Sequence, residues 1–122
     1  LIPTGHVTTA YGYAQAKDET WAWYQQQTGH RGASRSDFGD AVDFIAWYVA
    51  LAHRELGLSK WDAYSQYLAY HEGFTGYRQR TYRKQPGLES RAAAVKSLSL
   101  QYARQLRSCA AELERGGWWP FW

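Results

Sequence analysis

Methionine is absent from this chain of 122 residues, and cysteine occurs once. Without a Met the chain opens in mid-phrase at Leu1, so it reads as a piece of a longer protein. A single thiol, Cys109, excludes an internal disulfide and a Cys-x-x-Cys metal or redox motif. It is either a small apolar core residue or one half of a bridge to a cysteine elsewhere. No apolar run approaches the length of a membrane span, and no stretch has the pattern of a signal peptide. The formal net charge of +3 is mild; it permits attraction to a polyanion without requiring it.

Several chemistries are missing as well. His6, His30, His53 and His71 are scattered, and no pair has ligand spacing on one helical face. No serine and no cysteine sits in a nucleophile elbow or dyad, and no glycine-rich phosphate cradle is present. No metal site is expected. What the chain does have is aromatic residues, 17% of the total, many beside Gly, Gln, Arg and Thr. That mixture suits a cleft that stacks sugar rings, bases or another protein's side chains.

The periodicity predicts an all-α domain joined by short polar loops, with no strand pair and no internal repeat. Asp18 opens a short helix through Trp21 and Tyr24 that stops at Gly29. Ser34 and Asp37 have capping-box spacing ahead of a strong apolar stripe, Phe38, Ala41, Val42, Ile45, Tyr48, Val49, Ala52 and Leu56, ended by Gly57. Ser59 and Asp62 repeat that spacing before a helix through Trp61, Tyr64, Leu68 and Tyr70, which Gly73 ends. Residues 77–85 form a basic-aromatic loop with a turn of helix. Pro86 suits the first turn of a long last helix. Its stripe, Leu88, Ala92, Val95, Ser99, Tyr102, Leu106, Cys109 and Leu113, is expected to pack across the other helices. The spacing also fits a coiled coil, but the Ala, Ser and Cys in it make a weak seam. The tail at 116–122 is nearly all aromatic; it folds back on the domain or meets a missing segment or a partner protein.

Carboxylates are the remaining chemistry. Asp40, Asp43 and Glu55 fit a polar helix face, and Asp18 and Glu19 fit a helix N-terminus. Glu72 differs: it stands at a helix end among aromatics. Two readings stay open for it, a general acid for glycosidic cleavage or a structural hydrogen bond to a loop. Arg78, Arg80, Arg83 and Lys84 interleave with Tyr77 and Tyr82, which suits either a single-strand binder or a solvated loop.

Two segments in order resemble the lytic transglycosylase SLT-domain family, as a divergent branch. T-T-A-Y-G-Y-A-Q-A-K-D-E-T-W, residues 8–21, is similar to the segment written S-x-x-G-A-x-G-L-M-Q-x-x-P-x-T-A: Gly12, Gln15 and Thr20 match, and Tyr13 and Ala14 replace its Leu and Met. A-Y-H-E-G, residues 69–73, resembles A-Y-N-A-G, with His71 and Glu72 in place of Asn and Ala. D-F-x-D-A-x-D-F-I-x-W-Y at 37–48 and the G-Y-R at Gly76 extend the likeness over roughly residues 7–106.

The resemblance implies a lysozyme-like helical fold, here lacking its N-terminal helix, as a single domain over residues 1–122. It implies cleavage of the bond between N-acetylmuramic acid and N-acetylglucosamine in peptidoglycan, one glutamic acid serving as acid and then base, and a 1,6-anhydro product. It implies a periplasmic or cell-envelope location, and a reaction that needs no metal and no organic cofactor. The family's Glu precedes the G-L-M-Q-like segment, yet Leu1 to Ala10 hold no acidic residue, so the acid is expected before Leu1. Glu89-Ser90 follows A-Y-H-E-G, the wrong order. Tyr13, Gln15, Tyr70, His71, Glu72 and Tyr77 are the expected substrate contacts, with Glu72 a secondary candidate for the acid. The rival is a glycan-binding or scaffold module without an acid. A nucleic-acid binder rests on residues 77–84 alone, and no nucleic acid is expected.

Overall fold

The computed structural model describes residues 9–116; the aromatic tail lies, apart from Gly116, outside them. The described residues are all-α: α1 (Asp18–Thr28), α2 (Phe38–Leu56), α3 (Ala63–Arg78), a 3-10 turn (Thr81–Lys84) and α4 (Leu88–Gly116). One isolated bridge, Tyr11 to Ala16, is their only β pairing. They fall into two compact units, Leu1–Arg54 and Glu55–Trp122. No described helix is long and apolar enough to cross a membrane.

The helices start where charge favours it. Lys17 provides no side-chain cap for α1. Instead Thr9 Oγ1 accepts from the Asp18 amide at 3.0 Å, and Asp18 and Glu19 lie in the first turn. The expected caps of α2 and α3 move three residues on. Asp37 Oδ1 accepts from the Asp40 amide at 2.9 Å, and Asp62 Oδ1 from the Ser65 amide at 3.1 Å. Each serine of the two boxes is engaged earlier: Ser34 Oγ with Ser36, and Ser59 Oγ with the Trp61 amide. A carboxylate is the better partner for the positive end of a helix, so the aspartates win.

The first unit is built on aromatic packing. Trp21, Tyr24, Phe44 and Tyr48 are buried with Ala41, Leu51 and Ala52. The Trp21 and Phe44 rings lie 5.0 Å apart, and Tyr24 meets Phe44 edge-on at 5.3 Å. Tyr24 is wholly buried, and its hydroxyl donates to Asp43 Oδ2 at 2.5 Å, with His30 Nδ1 at 3.1 Å. Asp43 therefore does more than line a polar face: it satisfies a buried hydroxyl that would otherwise cost stability.

The second unit packs α3 and the 3-10 turn on the start of α4. Leu68, Leu88 and Ala92 are its buried centre, with Tyr64, Tyr67, Tyr77 and Tyr82 against them. This corrects the expected α4 stripe. Leu88 and Ala92 are fully buried, but Ser99, Tyr102 and Leu106 are exposed, Tyr102 at 61%. The core reaches only the first turns of α4, so the apolar period outruns it. Cys109 is half-buried, with Sγ 3.7 Å from the Leu106 carbonyl.

Burial pushes the Tyr48 hydroxyl up to about 12. Burial, then the hydrogen bond and charge of Asp43, raise that of Tyr24 well above the usual range. Both folded values exceed the unfolded value of about 10, so their contribution to stability is full below about pH 10 and is lost as pH rises through the folded values. In an alkaline titration, part of the tyrosinate absorbance should appear only as helical circular dichroism is lost. Full tyrosinate absorbance with the helices intact would refute the burial of these two rings.

Candidate functional site

The site candidates of the second unit gather at a break in α3. Gly73 has φ 78° and ψ 168°, so two helical segments meet there at a kink. That backbone conformation is essentially confined to glycine. The helix expected to end at Gly73 does break there, and a further helical stretch then runs to Arg78. Ala69 is buried and Tyr70 half-buried on the approach; His71 points outward and Glu72 inward.

Glu72 is held on both oxygens. Its side chain is only 6% exposed. The Thr81 hydroxyl donates to Oε1 at 2.5 Å, and His71 Nδ1 lies 2.8 Å from Oε2. Thr81 Oγ1 also lies 3.3 Å from the Gly76 carbonyl. A Cβ at Gly76 would come within 3.0 Å of Thr81 Oγ1 and 3.1 Å of Glu72 Cβ, so the absence of a side chain there lets the bracket close. Glu72 thus ties the residues before the kink to the 3-10 turn after it. To protonate a glycosidic oxygen it would have to leave Thr81 or His71. Thr81 was not legible as its partner: nine residues and a kink separate them.

Tyr77 stacks on Tyr82, centroids 5.6 Å apart and planes 28° apart. His71 lies 6.3 Å from the Tyr67 ring. Tyr70, His71, Glu72 and Tyr77 therefore belong to one helix, on either side of one kink.

Tyr13 and Gln15 belong to the first unit, in the turn that the Tyr11–Ala16 bridge closes. Tyr13 is 65% exposed and meets Phe38 edge-on at 5.4 Å. Gln15 has a left-handed backbone, φ 53°, and its Nε2 donates to the Gly12 carbonyl at 3.0 Å. Its side-chain oxygen is the group left to meet a ligand. Arg35 organises this turn, a role the sequence did not suggest. Its guanidinium donates to the carbonyls of Thr9 and Ala16, pairs with Asp18 at 2.7 Å and lies over the Tyr11 ring at 3.9 Å. Gly12, with φ +83°, admits the Arg35 carbonyl where a Cβ would meet it at 2.2 Å. Among the described residues no group of three or more His, Cys, Asp or Glu is arranged to hold a metal.

The family model described as Transglycosylase SLT domain matches residues 1–109. No curated protein and no solved structure matches the chain.

The kink can be tested against an ordinary helix stop. Gly29, with φ 78° and ψ 4°, is a left-handed cap. A Cβ meets no described atom within 4 Å at either glycine, so substitution reads the backbone alone. Gly29→Ala should cost about 1 kcal/mol, and Gly73→Ala up to about 3 kcal/mol. Denaturant unfolding measures both; equal costs would mean that α3 does not hold the kink in solution.

Proposed function

Because the chain belongs to the transglycosylase SLT domain family, we propose that it acts on peptidoglycan as the larger part of a lytic transglycosylase. The carrying observation is the reach of the family match, which takes in both the turn at 12–15 and the A-Y-H-E-G segment. The fold class is all-α and lysozyme-like. Residues 1–122 are taken as one catalytic domain acting at the cell envelope.

In this reading a glutamic acid donates a proton to the leaving sugar oxygen as the muramyl C1–O bond breaks. The muramyl 6-hydroxyl attacks C1, and the same carboxylate takes its proton. The ring closes as a 1,6-anhydro sugar and no water is consumed. An internal nucleophile is already close, so no second carboxylate has to activate water. Tyr13 and Tyr70 supply stacking surfaces, and Gln15, His71 and the Tyr77 hydroxyl hydrogen bonds, the Tyr77 ring being stacked on Tyr82. Glu72 is a positioning residue: its engagement with Thr81 and His71 suits it to hold the segment rather than to deliver a proton. That engagement also favours a second reading, in which this chain by itself binds glycan without cleaving it.

Purified sacculi, incubated with this chain and with a form extended upstream of Leu1, separate the readings by mass analysis of the products. Anhydro-muropeptides are expected from the extended form, and glycan binding without release from the chain alone. Glu72→Gln in the active form should lower the rate by about tenfold or less, the weight of one weakened hydrogen bond. If the unextended chain cleaves and Glu72→Gln abolishes that cleavage, Glu72 is the acid and the assignment fails.

A further inference from the structure

The cations at 78–84 have no task in the reaction above. Three of them, Arg78, Arg80 and Arg83, line a pocket of about 390 Å³ with Tyr77, Tyr82 and Glu55, all within the second unit. The backbone is shaped to bring them together. Arg80 takes the left-handed conformation, φ 61°, which costs a non-glycine residue about 1 kcal/mol. Its amide closes on the Tyr77 carbonyl at 3.0 Å, reversing the chain so that Arg78 and Arg83 reach one hollow. Arg78 is anchored there by donating to the Glu55 carbonyl at 3.1 Å. None of the three guanidinium groups forms an ion pair with a described carboxylate. Three like charges around one hollow repel each other, and an anion between them relieves that repulsion.

We infer that this pocket binds the carboxylates of a peptidoglycan stem peptide, an inference that rests on the proposed substrate. Guanidinium forks match carboxylates two bonds at a time. The volume suits one or two amino acids rather than a polymer track. Glu55 at the lining adds a negative charge that disfavours a continuous polyphosphate. The tyrosines argue the same way. A single-strand binder presents ring faces to successive bases, but Tyr77 and Tyr82 stack on each other and pack against Leu68, Leu88 and Ala92. The pocket is also tied to the family motif, since Thr81, next to Tyr82, bonds Glu72.

The test is calorimetric titration of a free stem tetrapeptide, and of the same peptide with its carboxylates amidated. The proteins are wild type, Arg80→Gln/Arg83→Gln, Arg83→Gln alone, and Lys84→Gln as a neighbour outside the lining, each checked for helicity. Amidation and the double substitution should each weaken binding at least tenfold, Arg83→Gln alone several-fold, and Lys84→Gln less than twofold. Equal affinity for the amidated peptide, or for a folded Arg83→Gln variant, overturns the inference. So does displacement of the peptide by inorganic phosphate or a short oligonucleotide at lower concentration than the peptide itself. Because the probe carries no sugar, peptide binding by this chain together with no glycan processing by the form extended upstream of Leu1 would sink the enzymatic reading and leave this site standing. Glycan processing without peptide binding would do the reverse.

Discussion

The second unit depends on a single backbone conformation, that of Gly73. With φ 78° and ψ 168° the chain leaves the helical path for one residue and then resumes it. Any side chain there would cost about 1–3 kcal/mol. A hydrogen bond to a charged group, such as that from Thr81 to Glu72, contributes about 1.5–3 kcal/mol. The two magnitudes are equal within their range. With glycine the bracket closes at no backbone cost; with another residue the strain would offset most of what the bracket contributes. Tyr77, stacked on Tyr82, and the arginine hollow all lie beyond the kink, so their arrangement inherits its geometry.

The aromatic content divides between two tasks. Composition suggested a stacking cleft. In the first unit four of the large rings instead make the core: Trp21, Tyr24, Phe44 and Tyr48 replace the aliphatic residues a short chain would need, and Tyr24 adds a hydroxyl that Asp43 satisfies. In the second unit Tyr64, Tyr67, Tyr77 and Tyr82 are amphipathic, half-buried against Leu68, Leu88 and Ala92. Tyr13, open to solvent on its turn, is closer to what the composition had suggested.

Helix identity was legible because period and punctuation agreed. Gly29 and Gly57 stop α1 and α2 with positive φ, and the stripe from Phe38 to Leu56 spans α2. The starts were displaced because capping-box spacing does not say which oxygen is already engaged; Ser34 and Ser59 were. The α4 stripe misled for another reason. Periodicity records which residues share a face, not how far a neighbouring element extends along it. Of the site, the motif positions were legible and their partners were not. Arg35 reaches Thr9 and Ala16 from 26 and 19 residues away, and Thr81 reaches Glu72 across a kink. Local pattern carries no information about such pairs.

The departure from the family's motif is intelligible on these terms. Where the resemblance has Asn-Ala, this chain has His71-Glu72. An alanine at the inward position needs no partner. A carboxylate there needs hydrogen bonds on both oxygens, because burying a charge without them is costly. His71 meets one oxygen and Thr81 the other. Gly76 leaves the room they require. The substitutions therefore make sense as a set, and what the set accomplishes is mechanical. It fastens the 3-10 turn to the helix that carries Tyr70. That turn also presents Tyr82 and Arg83 to the cationic hollow. A change at the motif that first suggests new catalysis is thus better explained as the anchoring of the 3-10 turn beside it.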